Sequence, residues 1–288
     1  MSPGEIRRRG GTSYYAARVA LRVGLKLSGQ GTTAAELRAV WRIADEAGFD
    51  HCWNFDHFAA LGADPELDIF EAWTMLGAMA AATTRVRVGC MVTGNTYRHP
   101  GVLAKMAVTV DHLSGGRLEF GIGAAWAEAE HTMLGLEFGT AGRRIDRLEE
   151  AVRLIKLLWS EERSDFDGRH YRLADAIANP KPVQRPHPPI WIGGSGERKT
   201  LRVVAEHADV WNAAGGDASE VARLSGVLDG HCEAVGRDPA EIRRSVQIRF
   251  GGDGDDLLRT VESYAGVGVA EEHAARAAEL LPELRSIA

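Results

Sequence analysis

The apolar positions of this chain fall into two alternating rhythms. Short, largely apolar runs stand at residues 22–27 (RVGLKL), 51–55 (HCWNF), 86–92 (VRVGCMV), 117–122 (RLEFGI), 189–192 (PIWI), 209–212 (DVWN) and 245–250 (SVQIRF). Runs this short, bounded by Gly, Pro or polar residues, read as buried strands. Longer segments of helical character lie between them. Thr33 and Glu36 have the spacing of a capping box and open a helix that runs to Ala47, where Gly48 stops it. Further helices are predicted over 69–82 and over 100–112, the latter with Pro100 at its start. Past the fourth run the rhythm is interrupted. Residues 128–136 and 143–159 read as two helices, the second with Ile145, Leu148, Val152, Ile155 and Leu158 along one face. Residues 165–171 suggest a hairpin, and the prolines of 179–189 hold the chain extended. Helices over 199–207 and 219–235, and a helical turn begun by Asp238 and Pro239, restore the alternation. Beyond 250 only AGVGVA at 265–270 is available as an eighth strand, ahead of a last helix over 271–284.

Strand and helix alternating through short connections specify a parallel α/β domain. The count predicts a TIM (β/α)8 barrel with an insertion between strands 4 and 5 and an irregular C-terminal strand; an open doubly wound sheet is the alternative. Residues 1–20 read as a flexible lead-in and 21–288 as a single barrel domain. Composition adds exclusions. A net charge of -6 argues against attraction to nucleic-acid phosphates. No apolar run reaches the length of a membrane span, and the N-terminus lacks the apolar core of a secretory signal, so a cytoplasmic protein is expected. Cys52, Cys90 and Cys232 have no CxxC spacing, which speaks against a disulfide framework and a cysteine zinc site; no metal is expected.

In a parallel barrel the active site forms at the C-terminal ends of the strands. There the sequence collects Asp56 and His57, then Thr93, Gly94, Asn95, Tyr97, Arg98 and His99, then Gly123, Ala124, Ala125 and Trp126, and finally Gly193, Gly194, Ser195 and Gly196. The segment IWIGGSGERKT carries the sharpest signal, a strand running through a Gly-rich turn into a helix. Glycines let the backbone approach a ligand, and free N–H groups with the helix dipole favour an anion. Ser195 adds a hydroxyl and Arg198 or Lys199 a charge, so phosphate is the natural guest; the plainer reading is a tight turn that needs glycine sterically. GIGAAW leaves the dinucleotide fingerprint GxGxxG incomplete. Asp56 and His57 read as an acid/base pair or a cofactor clamp, against a turn cap and a packed imidazole. Glu130 and His131 read as a solvated helix face.

Four segments in this order, FDHF at 55–58, VTGNTYRHP at 92–100, GRLEFGIGAAW at 116–126 and IWIGGSGERKT at 191–200, together with the helix RRIDRLEEAVRLIKLLW, resemble the luciferase-like monooxygenase superfamily. Within it the chain looks most like the branch that uses the deazaflavin coenzyme F420. The resemblance implies a TIM-type barrel, a tricyclic cofactor across the strand ends, and hydride transfer to or from a small organic substrate. Carried over residue by residue, Asp56 and His57 would lie beside the ring, His57 as proton donor or acceptor. Thr93 would contact the ring, and Gly123 and Ala124 would flank it. A cis peptide between Cys90 and Met91 would support it from behind, and Gly194, Ser195 and Gly196 would hold the coenzyme's phosphate. Where some hydride-transferring relatives carry a glutamate after the fourth strand, this chain has Trp126. The alternatives are an FMN-dependent monooxygenase fed by a separate reductase, and a cofactor-binding barrel without catalysis. The resemblance also implies a homodimer.

Overall fold

The computed structural model describes residues 22–62, 64–248 and 271–272. In chain order its strands are β1 (Arg22–Lys26), β2 (His51–Asn54), β3 (Arg87–Cys90), β4 (Thr93–Gly94), β5 (Leu118–Gly123), β6 (Ser164–Asp167), β7 (Arg172–Ala176), β8 (Ile190–Gly193), β9 (Val210–Ala213), β10 (Arg243–Val246) and β11 (Glu271–Glu272). Parallel pairings run β1–β2–β3–β5–β8–β9–β10–β11 and return from β11 to β1, closing a ring of eight. The two-residue β4 adds to the upper end of β5. Closure leaves no sheet edge in the ring, the TIM-barrel solution to unpaired backbone.

The helices α1 (Ala34–Ala47), α2 (Ala72–Ala82), α3 (Pro100–Leu113), α4 (Glu128–Leu134), α5 (Ala141–Ser160), α6 (Thr200–His207) and α7 (Ala218–Val235) connect the strands. Local chemistry sets their ends. Thr33 and Glu36 form the expected reciprocal cap, and Gly48 closes α1 at φ 89°. Glu71 accepts from the Trp73 and Thr74 amides, which starts α2 three residues later than the apolar pattern alone suggests. Asp238 caps a short turn by accepting from the Ala240 amide at 2.9 Å. Between β5 and β8 lie α4, α5 and the antiparallel hairpin β6–β7, the predicted insertion. Trp53, Met91, Trp191 and Val210 pack together as a cluster separate from the outer core, so these strands enclose side chains. Among the described residues no helix is long and apolar enough to cross a membrane.

Three expectations change. The strand predicted over 265–270 lies outside the described residues. Instead Glu271 and Glu272, which the pattern assigns to the last helix, pair with Arg22 and Val23 on one side and Ser245 and Val246 on the other. A two-residue strand carries no periodicity, and two glutamates favour helix on local preference, so register with its neighbours decides. The third strand is split rather than continuous over 86–92. The cis peptide falls between Met91 and Val92, not between Cys90 and Met91. The Met91 amide still donates to the Asn54 carbonyl at 3.0 Å, so the ladder with β2 persists one residue past Cys90 before the chain turns out to β4.

Candidate active site

β2 delivers Asp56 and His57 to the rim, where they take different partners. His57 Nδ1 lies 2.8 Å from Glu130 Oε2 on α4. The same carboxylate accepts from the Tyr97 hydroxyl and from the amides of Phe58, at 2.5 Å, and Ala59, at 3.0 Å. Burial alone would raise the Glu130 pKa, but the bonds from His57, Tyr97 and the backbone outweigh it and hold it at about 2. An ionised carboxylate can only accept, so Nδ1 of His57 carries a proton, which leaves Nε2 as the nitrogen turned to the rim. Nε2 has no partner among the described residues.

Asp56 is 2% exposed and forks onto Arg98 at 2.7 and 3.0 Å, while Arg98 also reaches Glu71. Burial pushes the Asp56 carboxyl up against the pull of Arg98. Asp56 therefore anchors the loop that carries Tyr97, and Glu130, far away in sequence, is the carboxylate that orients His57. The reading of Glu130 and His131 as a solvated face fails: they are 2% and 0% exposed. His131 donates from Nδ1 to the Ala127 carbonyl at 2.7 Å and meets the Thr96 hydroxyl at 2.6 Å. α4 turns these polar residues inward and leaves Met133 and Leu134 exposed, an inversion that apolar spacing cannot reveal.

Thr93 is buried and accepts from Trp73 Nε1 at 2.8 Å. Cys90 and Met91 are buried below the rim. Burial raises the Cys90 thiol well above its ordinary range, so it stays protonated and inert. The Val92 side chain packs over the paired upper ends of β5 and β8. A Cβ on Gly123 or on Gly193 would come within 2.9 Å of its Cγ2. Both strand ends are thus bare of side chains beside Val92, with Ala124 following directly. Next to this shelf, Gly194 turns the chain at φ 130° and donates to Asn212 O at 3.2 Å. Ser195 and Gly196 are exposed ahead of α6, and their N–H groups have no acceptor among the described residues. Arg198 makes no polar contact among the described residues either, whereas Lys199 is paired to Asp146 at 2.8 Å. A bare shelf adjoining an open amide turn fits a flat ring with an anionic tail.

Across the mouth Lys26 donates to Gln247, Gln247 to Asn212 Oδ1 at 2.7 Å, and Asn212 to Ser245 Oγ at 3.1 Å. Glu130, Val92, Lys26 and Gln247 were not among the sequence candidates. The signal for Glu130 was a carboxylate beside a histidine directly after a rim segment; nothing local marked the others.

The family model of the luciferase-like monooxygenases matches residues 19–256. The chain is similar to the F420-dependent glucose-6-phosphate dehydrogenase of Microbacterium testaceum, 32% identical over 259 residues that cover 88% of this chain and 76% of that protein. It is similar at 29% identity to the FMNH(2)-dependent dimethylsulfone monooxygenase of Pseudomonas putida, over 73% of this chain and 58% of that one. Among solved structures it matches an F420-dependent secondary alcohol dehydrogenase in complex with an F420-acetone adduct with a TM-score of 0.80, at 18% identity, covering 88% and 92% of the two chains. That likeness shows the barrel fold.

Proposed function

The chain belongs to the luciferase-like monooxygenase family, and on that premise we propose that it is an oxidoreductase that moves a hydride between the deazaflavin coenzyme F420 and a small organic substrate. The observation that carries this reading is His57, its Nδ1 tied to an ionised Glu130 and its Nε2 left for a ligand at the strand ends. The coenzyme, when bound, supplies a carbon centre that accepts or gives two electrons as hydride. Gly194, Ser195 and Gly196 would hold its phosphate, and Thr93, Val92, Gly123, Ala124 and Gly193 would lie against its ring, with Cys90 and Met91 packed behind. His57 takes or returns at Nε2 the proton that accompanies the hydride, and Glu130 stabilises the imidazolium that results. Asp56 holds Arg98, and through it the rim loop, in place. The reading brings with it, from the family resemblance, a homodimer acting in the cytoplasm on a small molecule; light scattering on the purified protein checks the dimer.

Calorimetric titration with F420 and with FMN tests the cofactor. Binding of F420 with little or none of FMN is the expected result, and preference for FMN would overturn it. Replacing Gly194, whose φ of 130° suits no β-branched residue, by Val should weaken F420 binding at least about tenfold, or ~1.4 kcal/mol, in a variant with an unchanged circular dichroism spectrum.

A further inference from the structure

We infer that the substrate is a neutral, largely apolar alcohol or ketone seated against Trp126 and Phe55 with its oxygen at His57, an inference that rests on the reading above for which end of the barrel reacts. Six of the seven tryptophans, Trp41, Trp53, Trp73, Trp159, Trp191 and Trp211, are at most 3% exposed, whereas Trp126 is 66% exposed. This open indole is not on a remote surface. Its ring lies 5.5 Å from the His57 imidazole, edge-on at 64°. Phe55 stands 4.3 Å from the same imidazole, and Tyr97 6.5 Å. The group that would exchange the proton is thus walled by aromatic rings, one of them uncovered. A large apolar surface left open beside convergent polar chemistry is what an apolar ligand covers.

The charges point the same way. Arg98 is spent on Asp56 and Glu71. Arg144 donates to the Ala125 and Gly139 carbonyls and stacks on Phe138 with its guanidinium carbon 3.7 Å from the ring centroid. Lys26 is engaged with Gln247. A phosphorylated substrate would bring about two negative charges close to the ionised Glu130, where Arg98 is already neutralised by Asp56 and Glu71. A neutral alcohol brings none. In its oxidation the carbinol C–H bond would break with its hydride passing to a bound deazaflavin, the hydroxyl proton would pass to His57 Nε2 and the C=O bond would form; reduction of the ketone would be the reverse.

Because the other tryptophans are buried, iodide quenching of tryptophan fluorescence reads Trp126 selectively. At constant ionic strength, saturating cyclohexanol should lower the iodide quenching constant about twofold or more, and glucose 6-phosphate should leave it unchanged. Trp126→Phe should remove most of the iodide-quenchable emission before any ligand is added. Protection by glucose 6-phosphate, protection by neither compound, or quenching that survives in Trp126→Phe would each overturn the inference. A separate calorimetric titration with F420 distinguishes the two failures. Coenzyme binding without protection by cyclohexanol refutes the substrate class alone, and protection without coenzyme binding refutes the coenzyme reading alone.

Discussion

Glu130 receives four hydrogen bonds, from His57, Tyr97, Phe58 and Ala59, so at residue scale it organises the rim more than any other single group. The arrangement assigns distinct jobs: His57 handles the proton, and Glu130 fixes which nitrogen is available to handle it. His57→Asn should therefore lower the single-turnover rate of hydride transfer by about 10²–10⁴-fold, the usual span for a lost general acid or base, while F420 affinity stays nearly constant. Glu130→Gln should lower the same rate by less, since an amide can still accept from Nδ1 but no longer stabilises a positive ring. Stopped-flow oxidation or reduction of the coenzyme beside a binding titration separates these outcomes. An unchanged rate in His57→Asn would remove the proton role, and a fall in affinity with a normal rate would make His57 a clamp on the ring.

At the scale of elements, the shelf depends on three strand ends meeting without side chains in the way. Val92, leaving the split third strand, packs over the paired ends of β5 and β8 because Gly123 and Gly193 have no Cβ. Val is stiff at χ1 and cannot swing aside. Gly193→Ala should then cost about 1–3 kcal/mol in a urea titration and weaken F420 binding, and adding Val92→Ala should recover much of the lost stability. Additive losses would show that the two positions do not compete for space. The same junction marks what the sequence could and could not tell. Strand and helix positions were legible because buried parallel strands and amphipathic helices leave short-range patterns. The glycine turn after β8 was legible because its chemistry is contiguous. The partner of His57 was not, because Glu130 comes from α4, which buries its polar face, and the pairing exists only once β2, β3 and β5 lie side by side. The two-residue β11 was equally silent, since its place is fixed by neighbours at both sides of the closure.

The whole molecule is held from inside by a second carboxylate. Glu119 on β5 bonds Arg87 on β3 and accepts from Trp191 Nε1 on β8 at 2.5 Å, with His51 Nε2 of β2 at 3.8 Å, so one buried side chain links four successive strands of the ring. Burial would raise its pKa, but His51, Arg87 and Trp191 together hold it below the ordinary 4.5. Glu130 at the rim is lowered as well, from 4.5 to about 2. Both folded values lie below the unfolded ones, so at acid pH the unfolded chain binds more protons than the native one. Their contribution is complete above about pH 4.5 and drains away as pH falls through the folded values. For Glu130 the drop is bounded by about 3 kcal/mol. Urea unfolding followed by fluorescence, from about pH 6 to about pH 3, should show the midpoint holding in the upper part of the range and falling once the pH drops below about 4.5. Glu119→Gln should cost about 2–4 kcal/mol at the upper end, because Arg87 loses its counter-charge and one Gln amide donor faces the Trp191 donor. Its acid limb should be shallower, so that the two curves converge as pH drops. Curves that stay parallel would show that Glu119 does not carry the proton linkage of the closed ring.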